Sequence, residues 1–104
     1  MSVLISMAMF PTDKSESKSR YVAEVIKVIK ESNFPYQLTS MATIIETPKL
    51  RDALNIIEKC YDRLDALGCN RVYSPITFDI RKGHDNRITG KIKSVEDKIG
   101  KVSK

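Results

Sequence analysis

Between Ser2 and Phe10 the chain reads SVLISMAMF, apolar at both parities of a two-residue repeat: Val3, Ile5, Met7 and Met9 on one, Leu4, Ala8 and Phe10 on the other. Side chains of a strand alternate between the two faces of its sheet, so this pattern is satisfied only when both faces are covered. The segment predicts a central strand, ended at Pro11, which has no N–H to give a ladder. The remaining residues must then supply a neighbour on each edge and a layer on each face.

The next elements follow from periodicity. After the polar stretch 12–19, which offers several helix caps, Tyr21, Val22, Val25, Ile26 and Ile29 recur at helical spacing, and Asn33 and Pro35 stop the helix. Tyr36 to Thr39 and Ala42 to Glu46 are short strand-like runs that form a hairpin. Thr47 and Pro48 read as a cap and a first-turn proline for a second helix, with the stripe Leu50, Ala53, Leu54, Ile57, Cys60, Tyr61, Leu64 and Leu67, and Gly68 just past its end. Arg71 to Arg81 alternates strictly, with Val72, Ser74, Ile76, Phe78 and Ile80 on a core face; Pro75 requires an edge position or a bulge. A turn-rich loop, 82–89, precedes a terminal amphipathic helix marked by Ile92, Val95, Ile99 and Val102.

Strand, helix, strand, strand, helix, strand is the βαββαβ order of the α+β ferredoxin-like plan, here with an added C-terminal helix. The expectation is a single domain, residues 1–104, with a four-stranded antiparallel sheet carrying helices on one face. The other face has only the last helix to cover it, so part of it is expected to be buried against another copy of the chain.

The 18 Lys and Arg against 13 Asp and Glu leave a net charge of +5. The basic residues are dispersed, without an aromatic-rich strand motif or a basic helix, so a solvated surface is favoured over a nucleic-acid partner. Cys60 and Cys69 lack the spacing of a zinc or redox site and read as free thiols. The apolar amino terminus is too short to span a bilayer and has no basic leader, which predicts a cytoplasmic protein.

No glycine-rich phosphate loop, nucleophile elbow or dinucleotide fingerprint is present, and neither a catalytic residue, a metal site nor a cofactor is expected. His84, the one histidine, sits among the turn formers Gly83, Asp85 and Asn86 and reads as a turn residue. What remains is a polar set converging on the sheet: Ser6, Thr39, Ser40, Thr43, Glu46, Thr77, Asp79 and Arg81. Hydroxyls with one or two carboxylates beside Met and Tyr suit a flat, amine-bearing or cationic heterocycle. The competing reading is that the threonines are ordinary strand residues and that Asp79 pairs with Arg81 on an exposed face.

Several stretches resemble the small thiamine-binding protein family: Met7 to Pro11, Tyr21-Val22, Tyr36 to Glu46, Gly68 to Val72, Asp79-Ile80-Arg81 and Gly90 to Val95. The most specific is a Met-Gly-Thr-x-Ile-Glu-Gly pattern, present as Met41 to Thr47 with Ala42 and Thr47 in place of the two glycines. Lys82-Gly83-His84 also replaces a more usual charged run. The resemblance implies a ferredoxin-like fold, dimers and tetramers assembled through sheets, binding of thiamine or its hydroxymethylpyrimidine part, and no catalytic activity.

Together these readings predict a homo-oligomeric binder of thiamine or a related aminopyrimidine. Glu46 and Asp79 would serve as acceptors, Thr43 and Ser6 as orienting hydroxyls, and Met7, Met41 and Tyr36 as apolar contacts. For Glu46 the alternative is stabilisation of the following helix through its dipole. The alternatives for the whole chain are an oligomeric regulatory or scaffold module without thiamine binding and, on charge alone, an RNA-associated protein.

Overall fold

A computed structural model describes residues 1–15 and 17–103. β1, Ser2–Met7, is central. On one edge it pairs antiparallel with β4, Thr43–Thr47, from Val3 opposite Thr47 to Met7 opposite Thr43. On the other it pairs antiparallel with β6, Ile76–Arg81, from Ser2 opposite Arg81 to Met7 opposite Ile76. β3, Tyr36–Leu38, extends the sheet beyond β4, giving the order β3-β4-β1-β6. With α1, Lys18–Glu31, and α2, Leu50–Ala66, in the two long connections, this is the ferredoxin-like arrangement.

Parity on β1 sorts the layers. Val3, Ile5 and Met7 face α1 and α2 and are at most 1% exposed, while Leu4 and Ser6 on the opposite face are half-buried. Tyr21, Val25 and Ile29 of α1 and Ala53, Ile56, Cys60 and Leu64 of α2 close the core at helical spacing. The stripe expected on α2 was too wide. Leu50, Leu54 and Tyr61 are 37–49% exposed, and Ile56, outside that stripe, is buried, because α1 packs against the neighbouring row of side chains.

The continuous strand expected from Ser2 to Phe10 is interrupted, and so is its partner. β2, Phe10–Pro11, pairs with β5, Val72–Tyr73, in the same register that joins β1 to β6. Between them Pro75 offers no N–H; its carbonyl accepts from Ala8 N (3.2 Å) and the Ser74 hydroxyl donates to the Ala8 carbonyl (2.7 Å). The proline thus sits on an edge strand, and no residue is inserted as a bulge. The core face expected along Arg71 to Arg81 is only part covered. Phe78 and Ile80 are 39% and 47% exposed, since α2 packs over β1 and β4 and leaves the outer strand uncovered.

Helix ends are set locally. Ser17 caps α1, its hydroxyl accepting from Ser19 N, and Asn33 at φ 63° turns the chain out at the other end. After α2, Gly68 at φ 82° lets its own N–H reach the Asp65 carbonyl and that of Cys69 reach Leu64, a paired C-terminal closure that side chains with a Cβ disfavour. The start of α2 differs from expectation. Thr47 completes β4, its hydroxyl donates to the Lys49 carbonyl, and the helix begins only at Leu50 without a side-chain cap.

α3, Arg87–Ile99, lies across the opposite sheet face over Leu4 and Ile44, yet none of its residues is buried. No helix among the described residues is long and apolar enough to cross a membrane.

Burial pushes the Cys60 thiol up to about 12, which at neutral pH leaves a thiolate fraction on the order of 1 in 10⁵. Both Cys60 and Cys69 are buried. A disulfide-exchange reagent is therefore expected to label neither in the native protein and both on denaturation. Rapid native labelling of Cys60 would contradict the described packing of α1 on α2.

Candidate functional site

The sheet separates the expected site residues. Met7 and Thr43 are opposite one another on β1 and β4 and face the α1 side, whereas Ser6, Glu46 and Asp79 belong to the α3 side. Two different environments result.

On the α1 side, the end of β1, the first half of α1 and the β3–β4 hairpin enclose an open cavity of about 230 Å³. Met7, Met9, Phe10, Val22, Val25 and Ile26 form its floor and wall, and Thr39 to Thr43 its rim. Of the expected ligand residues, Met7, Met41 and Thr43 line it. Tyr36 packs against the core on the same side without reaching the cavity. Met41, 86% exposed, stands at the mouth.

The rim is held by Thr39. Its hydroxyl donates to the Ala42 carbonyl (2.6 Å) and accepts from Met41 N (3.3 Å) and Ala42 N (3.1 Å), closing the turn from within. Neither Ala42 nor Thr47 has a positive φ, so the missing glycines are not needed for backbone conformation. Thr43 is only 4% exposed as a residue, but its hydroxyl is not sealed from solvent and makes no hydrogen bond among the described residues. Among those residues no carboxylate lines the cavity. It can therefore take a flat apolar face against methionine and offer the Ser40 and Thr43 hydroxyls to a polar edge.

On the α3 side, Glu46 does a different task from the one expected. Its carboxylate accepts from the Ser2 hydroxyl (2.6 Å), from Arg87 N (3.0 Å) and from Ile88 N (3.1 Å). Those two amides are the first of α3, so a β4 side chain caps a helix that starts 41 residues later. The helix it stabilises is not the one that follows it in sequence. Arg87 completes the network: Nε donates to Ser2 Oγ (3.0 Å), Nη2 to the Ser2 carbonyl (2.8 Å) and to the Asp79 carbonyl, and Nη1 meets Asp79 Oδ2 at 2.8 Å. Asp79 is thereby paired with Arg87 and not with Arg81. Sequence reading missed Arg87, which lies in a turn-rich stretch with no pattern to single it out. It also missed the cavity walls Met9, Phe10, Val22 and Ile26, whose apolar character signalled only core.

Among the described residues no three His, Cys, Asp or Glu side chains converge as a metal site.

A sequence profile of the family described as "Thiamine-binding protein" matches residues 5–96, nearly the whole chain. The chain belongs to the thiamine-binding protein family. A family relative, a UPF0045 protein of Methanothermobacter thermautotrophicus, is 29% identical over 85 residues, spanning 82% of this chain and 86% of that one. Another of Mycobacterium bovis is 29% identical over 96 residues, 92% and 93% of the two chains. The crystal structure of a hypothetical protein of Methanocaldococcus jannaschii superposes with a TM-score of 0.78 at 27% identity, covering 92% of this chain and 97% of that chain. A Thermotoga maritima protein proposed to act in thiamine biosynthesis or salvage has a TM-score of 0.79 at 15% identity over 91% and 99%, which speaks for the fold alone.

Burial pushes the Glu46 carboxyl up, but the Arg87 and Ile88 amides, the Ser2 hydroxyl and the Arg87 charge together hold it below its ordinary value of 4.5. A depressed folded-state value means the stabilisation is complete above the unfolded value and is lost as pH falls through the folded one. Glu46→Gln is expected to lower unfolding free energy at pH 7 by about 1.5 to 3 kcal/mol. In urea titrations the gap between wild type and variant should narrow below about pH 4.5. A gap independent of pH would contradict the capping role.

Proposed function

We propose that the chain is a non-catalytic binding protein whose cavity between α1 and the β3–β4 hairpin takes the aminopyrimidine part of thiamine, or hydroxymethylpyrimidine itself. The observation that carries this reading is the Thr43 hydroxyl, which makes no hydrogen bond among the described residues and lines a wall of methionine and aliphatic side chains. A volume of about 230 Å³ lies below the roughly 300–1,000 Å³ of sites for drug-sized ligands. One ring fits better than two. With no carboxylate among the described lining residues, a cationic thiazolium would gain nothing inside and is assigned to the mouth near Met41. Met7 and Thr43 are the proposed contacts; Ser6, Glu46 and Asp79 lie on the other sheet face and are left out of the pocket.

The family name, that of a binding protein, agrees with this reading. So does the pairing of an apolar face with hydroxyls at its edge, which suits recognition of a flat polar ring.

Calorimetric titration with hydroxymethylpyrimidine and with thiamine tests it. Both are expected to bind, and Thr43→Val, which keeps the shape, is expected to weaken both by about 1 kcal/mol, roughly fivefold, without loss of stability. Absence of binding of either at about millimolar concentration would reject the proposal.

We further propose that the protein is a homo-oligomer that uses the outer edge of β6. Among the described residues that strand pairs only with β1, and its own Phe78 and Ile80 are substantially exposed, as are Leu54 and Tyr61 on α2. Light scattering should give a mass at least twice that of one chain, reduced by Phe78→Asp. A single-chain mass for the wild type would overturn this.

A further inference from the structure

α3 roofs the sheet without filling the space beneath it. Leu4 and Ile44 below and Ile88, Ile92 and Val95 above enclose a slot of about 370 Å³. Glu46 and Arg87 fix the first turn of the helix, while its apolar residues Ile88 and Ile92 are only half-buried against the sheet. The slot opens, past the shared residues Leu4, Arg87 and Lys91, into a cavity of about 510 Å³ at the β6 edge.

That second cavity is charged. Arg87 and Asp79 on its wall neutralise each other. Arg81 and Lys91 make no ion pair among the described residues, and Asp85 is the one other acidic group on the wall, which leaves a surplus of positive charge. An apolar slot continuous with a cationic mouth matches a molecule built the same way: a hydrocarbon chain ending in an anion.

We propose that the space under α3 is a second binding site, for a single-chain amphiphile with an anionic head, whose chain lies between Ile44 and Ile92 and whose head meets Arg81 and Lys91. The site is on the opposite sheet face from the cavity beside Thr43 and does not depend on what that cavity binds. A second copy of the chain could instead cover the apolar slot, but it would leave the two cations at the mouth without a function.

The test titrates the 104-residue chain with decanoate below its micelle concentration, with octanoate and decanol as comparisons. Saturable uptake of one decanoate per chain is expected, about tenfold weaker for octanoate, as the loss of two buried methylenes requires. The Arg81→Gln/Lys91→Gln double variant should weaken decanoate by about tenfold and leave decanol unchanged. Val95→Asp, which puts a charge into the slot wall, should weaken both. No saturable uptake, or uptake indifferent to the double substitution, would overturn the proposal. So would a Val95→Asp chain that halves in mass by light scattering while the wild type takes up no decanoate, because a second copy would then occupy the slot.

Discussion

β1 is the constraint on which the other elements depend. Its alternate residues must be covered on two sides, and its two edges are both taken, by β4 and β6. The covering is unequal. On one side two helices pack with Val3, Ile5 and Met7 essentially sealed from solvent. On the other a single helix rests on Leu4 and Ile44 with no buried residue of its own. A well-packed face and a loosely roofed one are the direct outcome, and each holds a cavity of different character.

What keeps the loose roof in place is polar. Removing Glu46 from water without partners would cost several kcal/mol, but three donors satisfy it, and Arg87 satisfies Ser2 and Asp79 in turn. The network joins β1, β4, β6 and the start of α3. It therefore adds to the sparse packing between α3 and the sheet. It also gives the carboxylate of the most family-specific stretch a structural task, since two backbone amides of a distant helix dictate its position.

The two cavities divide the chemistry by the same parity. Residues that alternate along β4, Thr43 and Ile45 against Ile44 and Glu46, are assigned to different layers, and a ligand on one side cannot use both sets. The polar group that looked convergent along the chain is split by the sheet. Thr39 illustrates a related point: its hydroxyl is engaged in closing the turn and is not free for recognition, although it lies on the cavity rim.

The sequence by itself determined the element order, the central place of β1, the ends of α1 at Asn33 and of α2 at Gly68, and the edge position of the strand containing Pro75. Each of these rests on local chemistry: alternation, helical spacing, a left-handed turn residue, a missing N–H. Tertiary structure alone decided that Leu54 and Tyr61 face outward while Ile56 is buried, because both rows of α2 are apolar and only the position of α1 chooses between them. It alone revealed Arg87, the capping of α3 by Glu46, and the grouping of Met7 with Thr43 and Met41. Those depend on contacts between residues some 35 to 85 positions apart, and no periodicity along a chain carries information about which distant partner will satisfy a hydroxyl, an amide or a carboxylate.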